Sequence, residues 1–187
     1  MTGIRRLALK RRRLRLTNYR LRKSLILSKK PRLVVRSSNK YIYATLTISK
    51  PEGDLVLVSA NSKELKKFGW NLSFKNLPAA YLTGALLAKK ASKKEITEAV
   101  LDIGLSSPTR GNRIFALAKA CNDFGLKVPL KESVVPDESR IKGVHIASYM
   151  KKSTQEPQFS KVKKVLSSPD EVVEIFEKTL EKLKEVK

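Results

Sequence analysis

From Ile42 to Ile48 every second residue is aliphatic, and Leu33 and Val35 set the same alternation one segment earlier. Successive side chains of a strand point to opposite sides, so a period of two commits these residues to half-buried β-structure. Ser37-Ser38-Asn39-Lys40 between them reads as a turn, because Ser and Asn bond their own backbone. The stretch is therefore a hairpin. One face carries Leu33, Val35, Ile42, Ala44, Leu46 and Ile48 and is expected in the core. The other carries Arg32, Arg36, Tyr41, Tyr43, Thr45 and Thr47. Arginine and tyrosine on a sheet surface offer phosphate clamps and stacking plates, the pairing used against RNA backbone and splayed bases.

Pro51 to Asp54 is a turn, and Leu55–Ala60 reads as a buried third strand because both of its faces are apolar. Short strands joined by tight turns make an antiparallel meander. The period then changes. Leu77, Ala80, Tyr81, Gly84, Leu87, Ala88 and Ala91 follow helical spacing, with Asn76 as N-cap and Pro78 in the first turn. A helical glycine costs about 1 kcal/mol relative to Ala. Close approach of the helix to the sheet at Gly84 would offset that cost. Ala99–Leu105 is a fourth, central strand. A helix lies between strands three and four, so these two are expected to pair in parallel through a right-handed crossover. Ser107–Asn112 is a turn. Arg113–Gly125 is a second helix with Ile114, Leu117, Ala118 and Cys121 on its stripe.

The fold class is thus α/β. A compact mixed sheet, a three-strand antiparallel meander followed by helix–strand–helix in a ribonuclease-H-like layer, occupies residues 31–130. A basic arm spans 1–30 and a helical extension 131–187. The extension holds short helical turns around Gly143 and a polar linker over 153–168. A terminal helix follows, opened by Ser168, Pro169, Asp170 and Glu171, with Val172, Phe176, Leu180 and Leu183 as its stripe.

Charge is distributed unevenly. The net charge is +23, and 16 Lys or Arg precede the first acid, Glu52. An excess of this size favours a polyanionic partner. Leu7, Leu9, Leu14, Leu16, Leu21, Leu25, Ile26 and Leu27 interleave with the arm's cations, around Tyr19. Apolar anchors mixed with arginines can dock while neutralising phosphates. Thr17 is expected to cap a short helix from Asn18 to about Ser28, with Arg22 and Ile26 on one side.

Other chemistries find little support. There is no apolar run long enough to span a bilayer, and the first residues lack the apolar core of a secretory signal. Cys121 and His145 are each the only residue of their type, so no disulfide frame or Cys–His pair can be built. No phosphate-binding glycine loop is present. A metal-dependent nuclease needs clustered carboxylates. Asp54, Asp102 and Asp123 are available, but Asp102 is expected to bond a backbone amide or a neighbouring Lys or Arg. No cofactor is implied.

Four motifs in this order, KPRLVVRSSNKYIYA from Lys30, NLPAAYLTGALLAKKA from Asn76, AVLDIGL with PTRGNRIFA from Ala99, and VPDESRIKGVHIASY from Val135, resemble the large-subunit ribosomal protein family that binds 5S rRNA. That family is numbered eighteen in bacteria and archaea and five in eukaryotes. The VPDESRIKGVHI segment and the chain length are similar to the archaeal type. The resemblance implies a non-enzymatic, cytoplasmic, ribosomal protein with no membrane association. It would attach 5S rRNA to the large-subunit rRNA in the central protuberance, beside neighbouring large-subunit ribosomal proteins. It also implies the RNA-facing positions. In the arm these are Arg11, Arg12, Arg13, Arg15, Tyr19, Arg20 and Arg22. In the hairpin they are Arg32, Arg36, Ser38, Asn39, Lys40, Tyr41 and Tyr43. In the later turn they are Thr109, Arg110, Gly111, Asn112 and Arg113. Asn18 departs from the acid many relatives carry, Asn71–Lys75 lacks their glycines, Val144 replaces a charge, and no match is expected after about Lys151. A free RNA-binding or annealing protein stays open, as does, with less support, a metal-dependent nuclease.

Overall fold

The computed structural model of the protein describes residues 7, 8, 10–152, 159, 162, 166 and 168–185. Leu9, the first six residues of the arm and most of the 153–168 linker lie outside the described residues.

The four strands are β1 (Arg32–Ser37), β2 (Ile42–Lys50), β3 (Gly53–Asn61) and β4 (Val100–Asp102). They form one sheet in the order β3-β2-β1-β4. The meander β1-β2-β3 is antiparallel as expected. The fourth strand is shorter than its apolar run and pairs in parallel with β1, with Arg32 opposite Val100, instead of with β3. It is therefore an edge strand and not a central one. The crossover spans the sheet's full width, which lays a helix over the inner face and brings Asp102 beside the arginines of β1.

Leu33, Val35, Ile42, Ala44 and Leu46 are buried on the inner face. Two expectations fail at the far end of the sheet. Ile48 is exposed, and β3 is an edge strand whose Leu55 and Val56 face solvent while Val58 and Ala60 are buried. The register shifts there: Leu46 faces Val58 but Thr47 faces Val56, leaving Leu57 as the extra residue of a bulge. Thr47, expected on the open face, is buried.

The inner face is covered by α3 (Leu77–Ser92), which packs in turn on α4 (Arg113–Asp123). Asn76 caps α3 as its sequence predicts, its Oδ1 accepting from the Ala79 amide at 2.9 Å. Asn112 does the same for α4 toward Ile114. The close approach at Gly84 is to α4 and not to the sheet: a Cβ there would stand 2.3 Å from the Leu117 carbonyl oxygen. Between β3 and α3 lies a 3₁₀ segment, Ser62–Phe68, that apolar periodicity does not reveal. Its start is a capping box in which Asn61 and Glu64 exchange side-chain bonds, and it seats Leu65 and the following Trp70 in the core.

The extension folds back on this layer. α5 (Glu138–Lys142) and α6 (Val144–Lys152) flank Gly143, whose φ of +90° breaks them apart. α7 (Glu171–Glu185) begins after the Ser168–Asp170 turn and buries Val172, Phe176 and Leu183 in the same core as the sheet, with Leu180 partly covered. No helix among the described residues is long and apolar enough to cross a membrane.

Candidate nucleic-acid interface

Two short helices precede the sheet, α1 (Lys10–Arg13) and α2 (Tyr19–Leu27), and neither buries a residue. The cap of α2 is Asn18, with its Oδ1 accepting from the Leu21 amide at 3.1 Å. Thr17, the expected cap, instead accepts from Arg11 Nε at 2.6 Å and ties α1 to α2. Among the arm's expected RNA-facing residues, Arg11, Arg12, Arg13, Arg15, Tyr19, Arg20 and Arg22 are exposed or half-buried, while Leu14, Leu16 and Leu27 also lie open.

The arm runs along the outer face of the sheet. Between them is a cleft of ≈ 430 Å³ with Leu16, Leu21 and Leu25 on one wall and Arg32, Val34 and Arg36 on the other. Its floor is an ion-pair network of three arginines and two aspartates. Arg22 Nη2 donates to both oxygens of Asp54, at 2.9 and 3.0 Å. Arg32 reaches Asp54 at 2.7 Å through Nη2 and Asp102 at 3.0 Å through Nη1. Arg36 Nη2 donates to Asp102 Oδ1 at 2.9 Å. That oxygen also accepts from the Gly104 amide at 2.9 Å. Asp102 thus bonds a backbone amide and neighbouring arginines, as its position in the sequence predicts.

Burial by itself would raise the Asp54 carboxyl. The Ser49 hydroxyl and the guanidinium groups of Arg32 and Arg22 outweigh it and hold Asp54 below its ordinary value.

The network corrects one expectation. Arg32 is only 3% exposed, so it does not stand on the open face; its guanidinium is spent on the two carboxylates. Burying a cation requires such partners. Arg36 and Tyr43 remain accessible and are register partners across β1 and β2. Tyr41 is half-buried and packs on Phe74, with ring centroids 5.8 Å apart. Ser38, Asn39 and Lys40 form the exposed tip, where Ser38 Oγ accepts from the Tyr41 amide at 3.0 Å.

The later turn is partly structural. Arg110 is exposed, and Thr109 accepts from Asn112 Nδ2 at 3.4 Å. Gly111, at φ +68°, donates to the Val134 carbonyl at 3.0 Å. Arg113 Nη1 is bound to the Lys75 carbonyl at 2.9 Å, so much of its function is to fix the start of α4. Sequence reasoning missed Asp54 and Gly104 as partners of the arginines in this network. An acid following an acid-free arm was the available sign for Asp54; the glycine two residues after Asp102 was the sign for the other.

A profile of the family described as ribosomal large subunit proteins 60S L5 and 50S L18 matches residues 5–98. The large ribosomal subunit protein uL18 of Ignicoccus hospitalis is 49% identical over 174 residues, 92% of this chain and 79% of its own. That of Korarchaeum cryptofilum is 46% identical over 178 residues, 93% of this chain and 91% of its own. That of Staphylothermus marinus is 52% identical over 143 residues, covering 76% and 71%. Alignments spanning more than nine-tenths of the chain extend past Lys151, so the match continues into the C-terminal extension, contrary to expectation.

Proposed function

The chain belongs to the family of ribosomal large-subunit proteins that includes 60S L5 and 50S L18, and on that premise we propose that it binds 5S rRNA and attaches it to the large-subunit rRNA in the central protuberance. Its role is structural and not enzymatic, in keeping with relatives that are named as large-subunit ribosomal proteins. The cytoplasmic ribosome is its place of work, with rRNA and neighbouring large-subunit proteins as partners.

The observation that carries the reading is the juxtaposition of an acid-free cationic arm with the Arg36–Tyr43 face of the sheet. Exposed arginines neutralise phosphates without regard to sequence, while planar groups on a rigid sheet receive unstacked bases. Single-stranded loops and bulges of a folded rRNA present both at once. The arm residues from Arg11 to Arg22, the tip Ser38–Lys40, Tyr41, Tyr43, Arg36 and the turn around Arg110 are the proposed contacts. Arg32 acts from beneath them.

The test is electrophoretic binding of the full chain to 5S rRNA against excess tRNA. Retention of the 5S complex under competition is expected. Equal displacement by tRNA would instead indicate a general RNA-binding or annealing protein.

A further inference from the structure

Arg36 leaves the outer face of β1 where a phosphate clamp would be expected, yet most of its donors point inward. Nη1 donates to the carbonyls of Val35 and Asp102, at 2.7 and 2.8 Å, and Nη2 to Asp102 Oδ1 at 2.9 Å. A guanidinium has five N–H donors, so the larger share is committed within the protein. Asp102 is itself tied in place: it is 6% exposed and bonded by Arg32 and the Gly104 amide. The charge of Arg36 is therefore partly compensated and its orientation fixed.

Gly104 defines which surface of the group remains. A Cβ at that position would lie 2.7 Å from Arg36 Cζ, 2.8 Å from Nη2 and 3.0 Å from Nε. The central carbon is the nearest of the three. An approach along the edge would bring a nitrogen nearer than Cζ, so the glycine lies against the flat of the guanidinium. Its φ of +64° also suits glycine. One face of the plane is backed by main chain. The side chain is nevertheless 46% exposed, and it lines the cleft beside α2. Its cross-strand partner Tyr43 is 42% exposed on the same side of the sheet. A clamp needs free charge and mobile donors. A plane that is backed, tied along its edge and open on its other face suits stacking instead.

We propose that Arg36 is a stacking plate for an unpaired nucleobase of the bound RNA, with Asp102 and Gly104 as the positioning residues that hold it flat. The proposal rests on the RNA-binding reading and names what the Arg36–Tyr43 face receives: a base and not a phosphate.

Arg36→Lys separates the two, because lysine keeps the charge and loses the plane. Affinity of the full chain for 5S rRNA is measured at several salt concentrations for wild type, Arg36→Lys and Arg36→Ala, with thermal unfolding of each. Both variants are expected to bind about 5- to 150-fold more weakly, the range for losing one stacked base, with the slope of log K against log salt unchanged. Wild-type affinity in Arg36→Lys, together with a slope reduced by roughly 0.7–0.9 in Arg36→Ala, would make Arg36 a phosphate clamp and overturn the proposal. Ultraviolet crosslinking of the wild-type complex needs no variant. It should join a base to the peptide bearing Arg36 or Tyr43, and crosslinks confined to other segments overturn the proposal even if a variant fails to fold. A wild-type chain that does not bind 5S rRNA overturns the parent reading as well; binding with an indifferent Arg36 overturns this inference alone.

Discussion

Arg32 Nη1 and Asp102 Oδ2 lie 3.0 Å apart across 70 residues of sequence, and their side chains are 4% and 8% exposed. The pair welds the parallel β1–β4 edge of the sheet. Removing one partner of a buried pair leaves an uncompensated charge, which costs about 3–5 kcal/mol. Arg32 keeps Asp54, so Asp102→Ala should fall at the lower end, near 3 kcal/mol. Denaturant unfolding of the variant measures it. A loss under about 1 kcal/mol would mean that water reaches the pair and screens it.

Gly84→Ala should reverse the ordinary sign of that substitution. In an open helix alanine gains about 1 kcal/mol over glycine. Here the added carbon would meet the Leu117 carbonyl oxygen at 2.3 Å and Ala120 Cβ at 2.9 Å. The helices α3 and α4 must separate, at a cost of about 1–3 kcal/mol. An unfolding midpoint equal to or above wild type would show that the two helices slide apart freely.

Salt dependence should locate the arm's share of binding. Each neutralised phosphate contributes roughly −0.7 to −0.9 to the slope of log K against log salt. Deletion of Met1 to Lys23 should flatten the slope by several such units. If truncated and full chains give parallel lines, the arm does not touch the RNA.

Acid should dissolve the arm's anchor. Asp54 is held below its ordinary 3.8 in the folded chain, so the unfolded chain takes up its proton first as pH falls. The stability it contributes is complete above the ordinary carboxylate range and is lost as pH drops through the lowered value. The stability gap between wild type and Asp54→Asn should therefore be constant from pH 7 to 5 and close below about pH 4. A gap that persists unchanged at pH 2 contradicts the assignment.

The two faces of the hairpin should separate folding from binding. Ile42 is 2% exposed and Tyr43 42%. Ile42→Ala should cost about 2–5 kcal/mol of stability through a cavity. Tyr43→Ala should leave the unfolding midpoint nearly unchanged and weaken 5S rRNA binding by about 1–3 kcal/mol if a base stacks there. Early unfolding of the tyrosine variant with a stable Ile42→Ala would reverse the assignment of faces.

Local patterns were legible where one residue acts on its near neighbours. The alternation at Ile42–Leu46, the Asn76 cap and the stripe of α4 all follow from side chains meeting within a few positions. What periodicity did not carry is distant pairing. The apolar run Leu55–Ala60 looks buried on both faces, yet only its place at the sheet edge decides which side meets water. The partner of β4 depends on how far α3 travels across the sheet, a matter of topology and not of composition. The same holds for the interface. Exposed cations of the arm announce themselves as charge, whereas Arg32 reads identically to its neighbours and differs only because two aspartates from other strands enclose it.

The strand order also sets a timetable for synthesis. Chains emerge N-terminus first at about 5–20 residues per second. With 70 residues between Arg32 and Asp102, the acid follows its partner by roughly 4–14 s. Throughout that interval the nascent chain presents its cationic arm while β1 still lacks the strand that completes its edge. The carboxylates then act as internal stand-ins for phosphate, withdrawing Arg32 and orienting Arg36 once β4 arrives. Completion of the sheet thus leaves Arg32 and Arg36 held in a single arrangement while the arm's own cations stay open.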